Sequence, residues 1–188
     1  MEKTAPTSPS SQANQFAKQC LAEALVRLME ERELDDISVT DICKAAGFSR
    51  MAYYRNFQSK RDILRQYMRL LADEFRREAL EKYPNLSSRS YEIILFGLEY
   101  FQDYRMFAER LIQANLTSIL QDGMNYYFET YLAGSESGLD RHYAMYYYSG
   151  ALVNVYTFWI ARGMSEPPEY VAKIIHGIVK KKPSGSGA

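Results

Sequence analysis

Apolar residues recur at spacings of three and four along almost the whole chain, and no stretch keeps the strict alternation of a strand. Ala17, Cys20, Leu21, Ala24, Leu25 and Leu28 make one stripe of a first helix over residues 12–33, which Asp35 and Asp36 interrupt. Two short periodic runs follow at 39–46 and 50–57. A longer one starts at Lys60 and reaches about Lys82, with Leu64, Tyr67, Leu71 and Phe75 on one side. Tyr83-Pro84-Asn85 breaks the pattern, and Ser87 or Ser88 is placed to cap the next helix. Beyond it the periodicity predicts helices near 91–101, 105–113 and 116–132, a loop at 134–138, and a long apolar helix over 143–161. Pro167-Pro168 suits the first turn of a last helix carrying Val171, Ile174, Ile175 and Ile178. The expectation is an all-α protein of about nine helices.

The stretch 38–64 is the most informative. Ser38 with Asp41 three residues on is a capping box, so a helix starts near Val39; Gly47 supplies the positive φ that ends it about two turns later. Ser49 is the next N-cap, and Tyr53 and Phe57 share the inner face of the short helix it opens. Ser59 with Asp62 repeats the capping box. Helix, glycine turn, helix is the spacing of a helix-turn-helix, whose second helix enters a DNA major groove.

Charge sharpens that picture. The 188 residues carry 23 Lys and Arg against 23 Asp and Glu, so any DNA contact must come from a local patch. One exists: Lys44, Arg50, Arg55, Lys60, Arg61, Arg65 and Arg69 face the single acid Asp62, directly after an acid-rich segment at 30–41. Arg50, in the first turn of the second helix, suits bidentate pairing with guanine, and Met51 and Ala52 suit contact with a thymine methyl. Tyr54, Asn56 and Lys60 are placed to donate to phosphates; Lys60 stands at a helix N-terminus, where a cation is repelled unless an anion is near.

Gly47-Phe48-Ser49, Tyr53-Tyr54, Phe57, Lys60 and Ile63-Leu64 together resemble the DNA-binding signature of the tetracycline-repressor (TetR) family of transcriptional regulators. The likeness covers roughly residues 12–65. It departs at Met51, where the family often has a small residue. The resemblance implies a DNA-binding head at 12–58, a connecting helix at 59–82 and a ligand-binding and dimerisation domain at 83–182. It also implies that Lys60 grips the DNA backbone and that Thr40 touches DNA from the supporting helix. Ser49, Arg50, Met51, Ala52, Tyr54, Arg55 and Asn56 complete the expected interface. The segment 159–169 is further similar to the closing segment of a subgroup that includes regulators of dihydroxyacetone kinase operons.

The second half is aromatic. Tyr100, Tyr104, Phe107, Tyr127, Tyr148 and Trp159 are candidates to line an inducer pocket suited to a small hydrophobic or aromatic effector, although most such rings are expected to be core. Binding is expected to tilt the fourth helix and so alter the spacing of two reading heads. One recognition helix reads too few base pairs to find a genomic site, so a homodimer on palindromic double-stranded DNA is expected, with Ala151, Val155, Ile174, Ile175 and Ile178 at its interface. Residues 143–161 hold no formal charge, but five tyrosines and few Leu or Ile argue for the buried centre of a domain and against a membrane span.

Cys20 and Cys43 lie on apolar helix faces without metal-ligand spacing, and His142 and His176 have no catalytic setting. No cofactor and no enzymatic activity are expected. Residues 1–11 lack a signal peptide's apolar run and are expected to be disordered in a cytoplasmic protein, and 183–188 have the composition of a flexible tail. The two expectations for function are a repressor released by a small-molecule inducer and a ligand-sensing co-regulator that no longer binds DNA.

Overall fold

A computed structural model describes residues 9–132 and 139–180. The expected loop at 134–138 and the tail at 183–188 lie outside these residues, as do 1–8. Among the described residues there are nine α-helices and no strand. They are α1 (Pro9–Glu31), α2 (Val39–Ala46), α3 (Arg50–Asn56), α4 (Lys60–Lys82), α5 (Tyr91–Gln102), α6 (Arg105–Gln113), α7 (Thr117–Tyr127), α8 (Leu139–Ala161) and α9 (Pro168–Lys180). A 3₁₀ turn, Leu34–Asp36, follows α1, and α7 runs into one π-helical turn, Phe128–Leu132. The first helix begins at Pro9, inside the segment expected to be disordered. Helix α5 is capped by Ser90, whose side chain accepts from the Ile93 amide at 3.3 Å, rather than by Ser87 or Ser88. Ser87 instead closes a local turn onto the Arg89 amide, at 3.3 Å.

The chain divides into two compact units, Met1–Met68 and Arg69–Ala188, with the boundary inside α4. In the first unit, Leu21, Leu25 and Met29 of α1, Ile37, Ile42 of α2, and Ile63 and Leu64 of α4 are all but fully buried. Their burial is what holds two helices too short to persist alone.

The second unit has two apolar centres. Leu98, Trp159, Val171, Ala172 and Ile175 join α5, α8 and α9. Ala72, Phe75 and Ala79 of α4 pack with Tyr127 of α7, and the Phe75 ring meets those of Phe96, Tyr100, Phe101 and Tyr127 at 5.4–5.8 Å. Helix α8 is not buried all round, contrary to the expectation from its apolar sequence. Met145, Ser149, Val153 and Trp159 face inward, while Tyr143, Tyr147 and Phe158 are exposed on the other side. A helix apolar on every face has more surface than one chain covers here.

Candidate nucleic-acid interface

The turn between α2 and α3 is built from local chemistry. The Ser38 amide donates to Asp41 Oδ2 at 2.9 Å and the Asp41 amide donates to Ser38 Oγ at 3.1 Å, a reciprocal cap that satisfies two orphan donors. Hydrogen bonding from Ser38, with Arg32 at 3.5 Å adding to it, holds the Asp41 carboxyl below the usual carboxylate range. Gly47 ends α2 at φ +73°, and the Phe48 amide returns to the Cys43 carbonyl at 3.0 Å. Ser49 Oγ then accepts from the Ala52 amide at 3.2 Å and starts α3.

At 100° per residue, Arg50, Met51, Tyr54 and Arg55 fall on one side of α3, and Ala52, Tyr53 and Asn56 on the other. Burial follows that division. Arg50, Met51 (77% exposed), Tyr54 and Arg55 face solvent, while Tyr53 is buried with its ring 6.0 Å from Phe57. Ala52 is only 8% exposed, which corrects its expected contact with a thymine methyl: it lies half a turn away from Arg50. Asn56 is half-buried and its Nδ2 donates to the Ala52 carbonyl at 2.8 Å, so it braces its own helix instead of offering that donor outward. On α2, Thr40 and Lys44 are exposed.

Arg50 is poised on the outer surface. Its Nη2 donates to the Tyr54 hydroxyl at 3.2 Å, and its guanidinium stands 5.8 Å from the Tyr54 ring centre. That hydroxyl, more than any other neighbour, holds the guanidinium in its charged form. Burial pushes the Cys43 thiol up from its ordinary value, fitting an inert core thiol.

Lys60 departs from the expected role of a phosphate grip. Its Nζ donates to the carbonyls of Leu34, Asp35 (3.3 Å) and Ile37 (2.8 Å), so the ammonium's three donors close the turn that joins α1 to α2. These carbonyls are the negative partner that a lysine at a helix N-terminus needs. Sequence spacing carries no trace of this, because the partners lie 23 to 26 residues away.

The six aromatic residues expected to line an inducer pocket are mostly core. Trp159 is sealed in the α5–α8–α9 centre with Nε1 donating to the Glu166 carbonyl at 2.9 Å, and Tyr127 belongs to the Phe75 centre. Phe107 is buried, and Tyr100 packs between Phe75 and Tyr104 with burial pushing its phenol far up. Only Tyr148 of the six lines the cleft of about 640 Å³ found among α5, α8, α9 and the π-helical turn. Of the expected dimer residues, Ala151, Ile174 and Ile178 (60% exposed) are at the surface and Val155 is half-buried. Ile175, 6% exposed, turns into the core against Leu98 and Trp159, one helical step from its exposed neighbour Ile174. Phe158 (66% exposed), Tyr147 and Tyr170 were not among the expected residues but extend the same apolar surface.

Spacing also gave no sign of a polar tie in the second unit. Tyr126 and Tyr131 both donate to Asp73 Oδ1, at 2.9 and 2.7 Å, across 53 and 58 residues of sequence. Arg69 and Arg76 lie over the same two rings at 5.4 and 5.7 Å. Burial and the Asp73 carboxylate push the Tyr131 phenol far up, which keeps it a neutral donor.

A capped pair of short helices whose second member turns a guanidinium, a thioether and a phenol to solvent is the reading head of a helix-turn-helix regulator. Residues 21–67 match the family described as "Bacterial regulatory proteins, tetR family", and residues 88–181 match one described as "Transcriptional regulator C-terminal region". The chain belongs to the TetR family of DNA-binding transcriptional regulators. No curated protein matches the sequence. Among solved structures, the "Dihydroxyacetone kinase operon activator DhaS" aligns with a TM-score of 0.57 at 18% identity, over 87% of this chain and 93% of its own. The fatty acid degradation regulator FadR from Bacillus halodurans aligns at 0.58 and 18%, over 96% and 99%. A TetR transcriptional regulator from Rhodococcus sp. RHA1 aligns at 0.55 and 14%, over 90% and 97%. At these identities the likeness is one of fold. No described helix is long and apolar enough to cross a membrane.

Proposed function

We propose that this chain is a repressor that dimerises on a palindromic operator and is released by a small-molecule inducer bound in the second unit. The observation that carries the reading is the outer face of α3, where Arg50, Met51, Tyr54 and Arg55 are together exposed on a helix fixed from behind by Tyr53 and Phe57. Arg50 supplies the bidentate donor for guanine, Met51 the apolar contact, and Tyr54, Arg55, Thr40 and Lys44 the backbone contacts. Lys60 supports the interface from within by fixing the α1–α2 turn. Dimerisation is supported by the apolar surface of α8 and α9, where Ile174, Ile178 and Phe158 stand exposed among the described residues.

The test is a gel shift on the chain's own upstream region, followed by transcription in vitro from the bound promoter. Retarded DNA and reduced transcript support the reading. Increased transcript, as expected of an activator such as DhaS, overturns repression. No retardation at micromolar protein leaves the co-regulator without DNA binding as the account.

A further inference from the structure

The 640 Å³ cleft of the second unit differs in chemistry from the pocket the aromatic residues suggested. Its walls are apolar, with Phe128, Tyr148, Leu152, Ile175 and Val179 among them and Tyr147, Ala151, Val155 and Ile178 shared with the proposed dimer surface; among the described residues its charged lining is Arg89 and Arg141 with Asp140. Arg89 stands over the Tyr148 ring at 5.4 Å, a contact that consumes none of its N–H donors. Arg141 spends one on the Leu132 carbonyl, at 2.6 Å. Among the described lining residues two guanidiniums stand with one carboxylate along an apolar cleft, an arrangement that complements an apolar body bearing one negative group.

The cleft is also tied to α4. Phe128 and Leu132, which line it, are the two ends of the π-helical turn. From that turn Tyr131 donates to Asp73 of α4, and Tyr126, just before it, donates to the same oxygen. The turn is further held by Tyr146 donating to Glu129 at 2.6 Å and by Arg141 at Leu132. Anything that displaces Phe128 or Leu132 therefore acts on the two phenols that hold α4.

Resting on the reading of the second unit as an effector domain, we propose that this cleft binds an amphipathic monocarboxylate. Arg89 and Arg141 hold its carboxylate, and the Phe128–Leu132 turn passes its occupancy to α4 through Tyr126, Tyr131 and Asp73. Neutral aromatic effectors of the same size are discriminated against by the unmet charge of the two arginines.

Titration calorimetry on the full chain tests the site, with octanoate against octan-1-ol and 2-naphthoate against 2-naphthylmethanol as probes. At least one carboxylate is expected to bind once per chain, and at least about tenfold tighter than its alcohol. The Arg89→Gln/Arg141→Gln variant should bring the carboxylate to the alcohol's level while leaving alcohol affinity unchanged, with helix content by circular dichroism showing that the variant is folded. No binding of either carboxylate up to millimolar concentration, equal affinity for acid and alcohol, or an advantage that survives in the double variant overturns the proposal. So does a rise in the dimer dissociation constant of that variant without any probe binding, which would make a second copy of the chain the occupant. Amide hydrogen exchange tests the relay: the bound carboxylate should change protection in α4 residues 70–82, and Tyr126→Phe/Tyr131→Phe should keep its affinity and lose that change. Persistence of the change in the double Phe variant overturns the relay. None of these readouts involves DNA, so a failed gel shift and a failed titration are separate results.

Discussion

The reading head and the second unit fix their helices by opposite means. In the head, α2 and α3 are set by contacts within four residues: Ser38 with Asp41, Gly47 at positive φ, Ser49 with Ala52. Lys60 adds a polar tie across 23 to 26 residues. In the second unit, caps are fewer and the ties are long: Tyr126 and Tyr131 to Asp73, Tyr156 to the Phe101 carbonyl at 2.7 Å, and Ser149 between Gln121 and Asn125. The head leaves Met51 and Tyr54 outside on its reading face, whereas α8 and α9 leave Tyr147, Phe158, Ile174 and Ile178 outside. Local specification gives a rigid object of defined outer face. Long ties and exposed apolar surface are what the proposed effector and second copy would act on.

That contrast can be broken in several places. The largest effect is expected at the uncovered surface. Ile174→Asp/Ile178→Asp would place two carboxylates in an apolar interface, raising the dimer dissociation constant by about a thousandfold or more in sedimentation equilibrium while helix content holds. An unchanged association would remove α9 from the interface. Next is Lys60→Ala, which frees three carbonyls of the α1–α2 turn and should cost the head about 1–3 kcal/mol in denaturant unfolding. The slope of DNA affinity against salt should stay the same; a fall of about one in that slope would restore Lys60 as a phosphate contact. Gly47→Ala meets nothing within 4 Å of the added Cβ, so its cost is the left-handed backbone alone, about 1–2 kcal/mol.

The smallest effect is a matter of pH. The Asp41 carboxyl is held below its usual value of about 3.9, so its stabilisation is complete above that value and is lost as pH falls through the lowered folded one. Asp41→Asn should therefore unfold at lower urea than the natural protein at pH 7, and the gap should close below about pH 4. A gap that persists in acid would assign the effect to packing.

The same contrast decided what could be read from the sequence. Helix number, the turn at Gly47 and the inward aspect of Tyr53 were legible because spacing and capping encode them within a few positions. The inward aspect of Ala52 is equally encoded, by its angle from Arg50, but a small apolar side chain beside Met51 also suits a thymine methyl, and residue type alone does not separate the two. Lys60 was assigned to an outside anion because a cation at a helix N-terminus needs a negative partner, and three folded-back carbonyls supplied it. In the second unit, an apolar run such as 143–161 shows that surface must be covered, not which ring is covered by its own chain. Trp159 and Tyr127 went to the core, Tyr147 and Phe158 did not, and one-dimensional periodicity does not distinguish them.

The central claim is that the outer face of α3 reads bases through Arg50, and selection of bound duplexes from a random pool tests it most directly. The natural protein should enrich an inverted repeat with half-sites about one helical turn apart, and Arg50→Ala should lose roughly ten- to hundredfold of the preference at one base pair in each half. Enrichment of the same repeat with equal preference by both proteins, or of no sequence by either, would contradict it.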